Sequence, residues 1–458
     1  MRIGWKPKVK GKRSCAGDAR TKETVLCRKK KKGSMLEEVL DRRNIERALK
    51  QVMRNKGTGG VDGMQTEDLR AYLNDNWQSL RADILSGSYK PSVVRKVEIP
   101  KPNGGKRMLG IPTVLDRLLQ QAISQWLTPK YEEQFSKHSY GFRPNKNAHQ
   151  AVLQAQVYVK EGKEWVVELD LEKFFDKVNH DRLMNVLSRT VKNKPTLKLI
   201  RSYLTSGILE GGTVSQRTEG TPQGSPLSPL LSNIVLDELD KELERRGHSY
   251  VRYADDCSIY VKSEAAAKRV AESMIQYIEG KLLLKVNREK TKLSRPNEST
   301  LLGFTFLKTK SGWEIWIADK SIGRIKEKCK AITSRRKGVS EKGRIDKLQS
   351  IITGWVNYFV IAKAKGVMQD LDRMVRTRLR MCQWKAWKQP KTRVKELIKL
   401  GFSDDRAFKS GNSSKGHCRA ANSMILKQTL TNKVFAKRGY KGFYNTYQAK
   451  IGAQPPLF

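Results

Sequence analysis

The sequence predicts an α+β core of short antiparallel strands and helices, followed by an α-helical basic region. Three observations carry this expectation. Short β-branched and aromatic runs come in pairs across tight turns, at 93–100 with 108–111, at 249–261, and at 301–306 with 313–317. Longer stretches between them space their apolar residues as one face of a helix. After residue 320 the strand pattern stops and basic helix or loop takes over.

The elements follow in order. Residues 1–34 hold 13 Lys/Arg against 2 acids, include the run Arg28-Lys29-Lys30-Lys31-Lys32 and lack periodicity, so a disordered basic arm is expected there. Asp18, Glu23 and the lack of an amphipathic pattern argue against a transit peptide. Leu36, Val39, Leu40, Ile45, Leu49 and Val52 then repeat at helical spacing, and the folded protein is expected to begin at Met35. A glycine loop at 57–63 leads to a helix over 66–85. The strand at 93–100 turns at Lys101-Pro102-Asn103-Gly104-Gly105-Lys106-Arg107 and returns through 108–111. Helices are expected over 115–126 and 181–204, with a short buried strand at 165–171 between them. A Pro-rich turn opens a helix over 225–244. The hairpin at 249–261 follows, then a helix over 265–279 and a second hairpin at 301–317.

Composition narrows the function. The 458 residues suffice for two to four domains, and 38% hydrophobic content excludes a wholly disordered basic protein. Lys plus Arg number 91 against 46 Asp plus Glu, a net charge of +45. Such an excess exceeds what solubility needs and suits phosphate backbones. It is uneven: residues 321–458 carry 32 Lys/Arg against 8 acids. The least basic part, 35–320, reads as an enzyme between two cationic grips. No run of 18 apolar residues predicts a membrane span, and no signal-peptide pattern follows the basic start. Six scattered cysteines without a CxxC pair read as reduced thiols of a cytoplasmic protein, not as a zinc site or a disulfide frame.

Tyr253-Ala254-Asp255-Asp256 is the stretch that carries chemistry. Two adjacent carboxylates in the turn of an apolar hairpin can be aimed at a divalent cation. Asp170, at the end of the apolar strand Val166-Val167-Glu168-Leu169, is their candidate partner. A carboxylate there is costly unless it is paired, bound to a metal, or capping the following helix. Asp176 suits a cap or an ion pair, and Glu172 and Lys173 suit solvent. The basic residues of the 101–107 turn can reach a triphosphate. Gly220-Thr221-Pro222-Gln223-Gly224-Ser225-Pro226-Leu227-Ser228-Pro229 builds a stiff loop with Gln223 as its one long polar side chain.

Together these stretches resemble the polymerase core of bacterial group II intron-encoded reverse transcriptases. Gly60-Val61-Asp62-Gly63, Tyr140-Gly141-Phe142-Arg143-Pro144, the block at 170–176, the loop at 220–229, Tyr253-Ala254-Asp255-Asp256, the block at 284–291 and Leu302-Gly303-Phe304 fall in that family's order. The resemblance implies a right-hand fold: fingers and palm over 35–320, a helical thumb or maturase domain over 321–395, and a DNA-binding region over 396–458. It implies two Mg²⁺ ions on Asp170, Asp255 and Asp256, Asp255 being the surer ligand of the adjacent pair. Lys101, Arg107, Phe175, Gln223 and Ala254 then contact the incoming nucleotide, with Phe175 under the sugar. Leu302, Gly303 and Phe304 match the primer grip. Arg373, Arg376, Arg378 and Arg380 face RNA, while Trp355 and Phe359, spaced four apart, suit helix packing.

The implied activity is RNA-directed DNA synthesis by two-metal nucleotidyl transfer. Group II intron RNA, an RNA template with a DNA primer, target DNA and dNTPs are the implied partners, in splicing and retrohoming. The alternatives are a splicing maturase with a vestigial polymerase, and a related enzyme recruited to host defence. Three features depart from the pattern. Paired cysteines and histidines of an endonuclease domain are missing, as in the compact class C members. His417-Cys418 makes no metal site by itself. Ser225 replaces a common second glycine.

Overall fold

The computed structural model of the chain describes residues 34–100 and 104–452. The expected arm lies outside the described residues, apart from Ser34, and so does Lys101.

Ser34 and Glu37 form a capping box that opens α1 (Met35–Val39). Asp41 then accepts a hydrogen bond from the Arg43 amide and starts α2 (Arg42–Arg54), so the one helix expected here is two. After α3 (Leu69–Ser86), β1 (Val94–Pro100) and β2 (Lys106–Ile111) form the expected hairpin. Next come α4 (Val114–Glu132) and α5 (Ala148–Lys160). The sequence reading had no helix at α5, although an Asn147–Gln150 capping box announces it. β3 (Trp165–Leu169) and the short α6 (Phe174–Lys177) lead to α7 (His180–Thr190) and α8 (Lys194–Thr205). These two replace the single expected helix, because Asn193 caps a new one with Pro195 in its first turn.

The unexpected short pair β4 (Ile208–Glu210) and β5 (Thr213–Ser215) precedes α9 (Ser228–Arg245). β6 (Ser249–Tyr253) and β7 (Asp256–Val261) form the acid-bearing hairpin. α10 (Glu264–Gly280), β8 (Lys292–Ser294), β9 (Phe304–Thr309) and β10 (Gly312–Ile317) follow. All later elements are helices: α11 (Asp319–Ile332), α12 (Glu341–Phe359), α13 (Lys365–Ala386), α14 (Pro390–Lys399), α15 (Asp404–Gly411), α16 (His417–Ala421), α17 (Met424–Thr429), α18 (Asn432–Lys437) and α19 (Phe443–Gly452).

The central sheet is antiparallel, in the order β6-β7-β3-β8. It separates two cores. Tyr250, Val167, Leu169, Cys257 and Ile259 pack with buried residues of α4, α7, α9 and α10 on one face. Val251, Val166 and Tyr260 point the other way, toward α5, the β9–β10 hairpin, α12 and α13. The alternation is that of a sheet buried on both sides. A second sheet, β2-β1-β4-β5, carries the basic hairpin and pairs β1 with β4 in parallel.

Candidate active site

Register brings the three acids together. β3 pairs with β7 from Trp165↔Val261 to Leu169↔Cys257. The next residue of the strand, Asp170, therefore comes level with Asp256. Asp255 occupies the β6–β7 turn, where Ala254 holds φ at 57°. Asp170 is not a helix cap, since Lys173 stands at the N-cap of α6. Its backbone carbonyl accepts from the Asn287 amide at 2.8 Å, and its carboxylate lies 3.5 Å from the Lys290 ammonium.

The acids feel one another. Burial raises the Asp255 carboxyl above its ordinary value, and the charge of Asp170 adds to the rise, against the opposing charges of Arg107 and Arg252. Asp256 is pushed up to about 6, first by desolvation and then by Asp255, Asp170 and Glu168. Its side chain keeps an open path to solvent even so. Glu168 is not free to join the acids. Its carboxylate accepts from the Ser299 hydroxyl at 2.7 Å and the Thr300 amide at 3.0 Å.

Among the described residues, no three His, Cys, Asp or Glu side chains already close around one ion position. The donor chemistry nevertheless fits a hard divalent cation, because the acids at this end of the sheet offer only oxygen. Burial raises Asp255 and Asp256 first, and the neighbouring acids add a repulsion that the charge of a cation would relieve. Lys290 beside Asp170 supplies part of that charge in this conformation.

The turn is held from beneath by a group that sequence reasoning missed. Arg252 is fully buried, as is Asp240 of α9. The guanidinium binds Asp240 through two bonds, at 2.7 and 2.5 Å. It also donates to Asn233 Oδ1 at 3.0 Å, to Ser139 Oγ at 2.8 Å and to the Ala254 carbonyl at 2.8 Å. A lone arginine in the apolar run Tyr250-Val251-Arg252-Tyr253 was the available signal. Gly141 was another. A Cβ there would sit 2.2 Å from the Ala254 amide nitrogen, so only glycine lets the Tyr140-Gly141-Phe142-Arg143-Pro144 segment lie against the turn.

The expected nucleotide contacts cluster through backbone bonds. Arg107 lies on β2 opposite Ile99, exposed and close enough for Asp255 to feel its charge. The Gly110 amide at the far end of that strand donates to the Gln223 carbonyl at 2.8 Å. The Thr221 amide donates to the Phe175 carbonyl at 2.6 Å, which ties the 220–229 loop to α6. Phe175 packs edge-on against the buried Phe174, with ring centroids 5.4 Å apart. Ser225, in place of a glycine, is buried, and its hydroxyl donates to Gln120 Oε1 at 2.5 Å. Ala254 is buried within the acid turn.

Leu302 and Gly303 both take positive φ, at 53° and 86°, before Phe304 opens β9. This bend docks on α12. The Tyr358 hydroxyl donates to the Leu302 carbonyl at 2.9 Å, and the Phe304 ring lies 4.9 Å from that of Phe359. Trp355 and Phe359 stack 4.7 Å apart, so their spacing of four is core packing, as expected.

The four arginines of α13 divide. Arg373 is exposed and, among the described residues, pairs with Asp370 alone, at 3.3 Å. Arg376 is half-buried, 4.0 Å from Asp372. Arg378 donates to Thr333 Oγ1 at 2.6 Å and to the Lys330 carbonyl at 3.2 Å. Arg380 corrects the expectation that all four face RNA. It is 8% exposed, donates to the Leu430 carbonyl at 3.1 Å and lies over Phe435, which ties α13 to the C-terminal helices.

Two family models match the chain. One, the reverse transcriptase (RNA-dependent DNA polymerase) model, covers residues 99–306, which contain all three acids. The other, the group II intron maturase-specific domain, covers 322–401, from α11 through α14. Protein YkfC of Escherichia coli is 35% identical over 288 residues, 55% of this chain and 74% of that protein. The group II intron-encoded protein LtrA of Lactococcus lactis is 28% identical over 324 residues, 56% of this chain and 54% of LtrA. A COX1/OXI3 intron 2 protein of Saccharomyces cerevisiae is 36% identical over 195 residues, 42% of this chain but 22% of its own length. The chain thus spans about half of LtrA and a smaller part of the yeast protein.

Proposed function

We propose that this chain, which belongs to the reverse transcriptase family and joins an RNA-directed DNA polymerase to a group II intron maturase-specific domain, copies RNA templates into DNA and also binds intron RNA to promote splicing and retrohoming. The observation that carries the reading is the level placement of Asp170 with Asp256, and Asp255 in the adjoining turn, at the open end of a sheet buried on both faces.

Asp170, Asp255 and Asp256 would hold two Mg²⁺ ions. When bound, such ions favour the deprotonated primer 3′-hydroxyl and stabilise the departing pyrophosphate. The protein's own part is placement. Arg252 fixes the turn by binding the Ala254 carbonyl while anchored on Asp240, so the acids need not be reordered at each turnover. Arg107 presents a two-pronged donor to the triphosphate of a dNTP, and Lys101 would add a point charge. The Phe175 ring, stiffened by its contact with Phe174, lies under the sugar and disfavours a ribonucleotide. Gln223 and Ala254 complete the nucleotide pocket. The Leu302-Gly303-Phe304 bend positions the primer and rests on α12, so primer and RNA-binding helices share one support.

In the RNA-binding role, Arg373 and the outer part of Arg376 offer charge on α13, and helices α14–α19 extend a basic surface that suits target DNA. Residues 35–320, 321–395 and 396–458 would act as fingers and palm, thumb, and DNA-binding region.

Extension of a DNA primer on an RNA template by the purified protein with Mg²⁺ tests the proposal, beside Asp255→Ala. Wild-type extension that the variant loses is the expected result. No extension by the wild type, or equal extension by both, would overturn it.

A further inference from the structure

Phe142 is built into a conformation that a bulky residue rarely takes. Its φ is 57°, in the left-handed region, and the residue is 52% exposed. It belongs to neither core, and its ring stacks on no other aromatic side chain among the described residues. Nothing in the packing rewards this placement, yet the surrounding bonds impose it. The Tyr140 amide donates to the Arg252 carbonyl at 2.8 Å, and Asn233 Nδ2 donates to the Gly141 carbonyl at 2.9 Å. On the other side Arg143 is buried, paired with Glu132 at 2.6 Å and bonded to the Ser136 and Ser139 carbonyls. An exposed aromatic is thus locked in a strained backbone directly beside the acid turn, because Gly141 lies against Ala254. Strain held in this way clusters where a ligand is met.

The position says which ligand. The 138–141 segment runs along the outer edge of β6, with Ser139 bridged to Arg252 in parallel. Arg107, Gln223 and Phe175 belong to a different unit, in which β2, the 220–229 loop and α6 are tied by backbone bonds. No backbone bond among the described residues links the Phe142 segment to that unit. The acids therefore stand between a nucleotide pocket on the β3 side and Phe142 on the β6 side. Lys137 precedes Phe142 in sequence and is exposed, whereas Lys146 is half-buried over the Tyr140 ring and donates to the Lys137 carbonyl; of the neighbouring acids, Glu132 is spent on Arg143 and Glu133 is exposed. An exposed flat apolar ring with an exposed lysine nearby in sequence suits the sugar and base of a nucleic acid strand.

We infer that the Phe142 ring is a positioning contact for the end of the primer–template duplex, set against the β6 edge of the catalytic sheet opposite the incoming nucleotide. The inference rests on the polymerase reading above.

Phe142→Asn and Phe142→Tyr test it. Asparagine tolerates a positive φ, so the variant keeps the loop conformation while losing the ring. Binding of a fluorescent RNA-template/DNA-primer duplex is measured without dNTP, together with the KM for dNTP and the melting temperature. Phe142→Asn should weaken duplex binding about tenfold, shorten the products, leave the dNTP KM unchanged and melt no earlier than wild type. Phe142→Tyr should restore duplex binding. Wild-type duplex affinity in Phe142→Asn would overturn the inference. So would a tyrosine variant as weak as the asparagine one, a change confined to the dNTP KM, or a clear loss of melting temperature. Should the wild type fail to extend primers while Phe142→Asn still loses duplex affinity, the catalytic reading falls and the contact stands.

Discussion

Asp240, on α9, and the pair Asp255–Asp256, on the hairpin that follows it, are treated in opposite ways. Asp240 is fully buried and receives two bonds from Arg252. Asp255 and Asp256 receive no side-chain cation of their own among the described residues, and both are raised above the ordinary carboxyl range. The paired acid fixes a shape. The unpaired acids stay partly desolvated beside one another, and a cation from outside would relieve both costs. A chain that could have lowered its energy by pairing them has instead placed its buried cation one layer beneath, where it binds the Ala254 carbonyl and leaves the carboxylates open. Stability is given up at the acids, while Arg252 fixes the shape of the turn, a division typical of sites under functional demand.

The hardest test of this contrast removes an unpaired acid. Asp255→Asn should reduce primer extension by at least about a thousandfold, on the scale of losing a principal electrostatic group in a reaction centre. The same change relieves repulsion with Asp170, so the melting temperature should hold or rise. A variant that loses both activity and stability would show that Asp255 is structural, as Asp240 is, and would erase the contrast.

Removing the paired cation should do the reverse. Arg252→Met leaves Asp240 buried without a partner and is expected to cost about 3–5 kcal/mol of stability. Activity should fall with it, because the Ala254 carbonyl loses its donor and the turn its support. Combining Arg252→Met with Asp240→Leu should recover most of the stability, since a buried ion pair is often replaceable by apolar groups. It should not recover activity. Chemical denaturation and primer extension on the two variants separate holding the fold from holding the turn.

Proton competition gives a smaller effect of the same origin. Asp256 is pushed up to about 6, so above that pH it is ionised and open to a cation. As pH falls through 6 the proton occupies the site. Mg²⁺ affinity, measured by calorimetry on the protein alone, should then weaken by about tenfold for each further pH unit. Asp256→Asn should flatten this dependence. An affinity that stays level from pH 7 to pH 5 in the wild type would mean that Asp256 is not a ligand.

Much of this was legible in the sequence, for identifiable reasons. The hairpins and the strand ending at Asp170 follow from period-two patterns, and the acids from charge in apolar surroundings. Helix breaks at Asp41 and Asn193 were missed because a continuing apolar period masks a cap inside it. α5 was missed because its alanines give a weak hydrophobic contrast, though they are what lets it pack closely behind the sheet. The Arg252–Asp240 pair could not be assigned, because its members come from separate elements that only tertiary packing joins. The order Tyr140-Gly141-Phe142 was readable, but its reason was not. That reason is the 2.2 Å approach that any Cβ at residue 141 would make to the acid turn.

The contrast between held and open charge extends to the cations of α13, and there the sequence reading made its clear error. Arg373 and Arg380 stand two helical turns apart with the same side chain. Arg373 has 77% of its side chain exposed and one surface partner, a pair of a kind worth less than about 1 kcal/mol and easily exchanged for a phosphate. Arg380 is buried on the Leu430 carbonyl. Arg373→Ala should therefore weaken binding of structured RNA several-fold and reduce its salt dependence by about one phosphate contact, with melting unchanged. Arg380→Ala should leave the salt slope alone and destabilise the packing of α13 on the C-terminal helices by about 1–3 kcal/mol, the cost of a buried carbonyl left without its donor. Salt titrations of RNA binding beside thermal melts read both. Equal effects of the two substitutions on the salt slope would place Arg380 at the RNA surface after all, and would require α13 to turn when RNA binds.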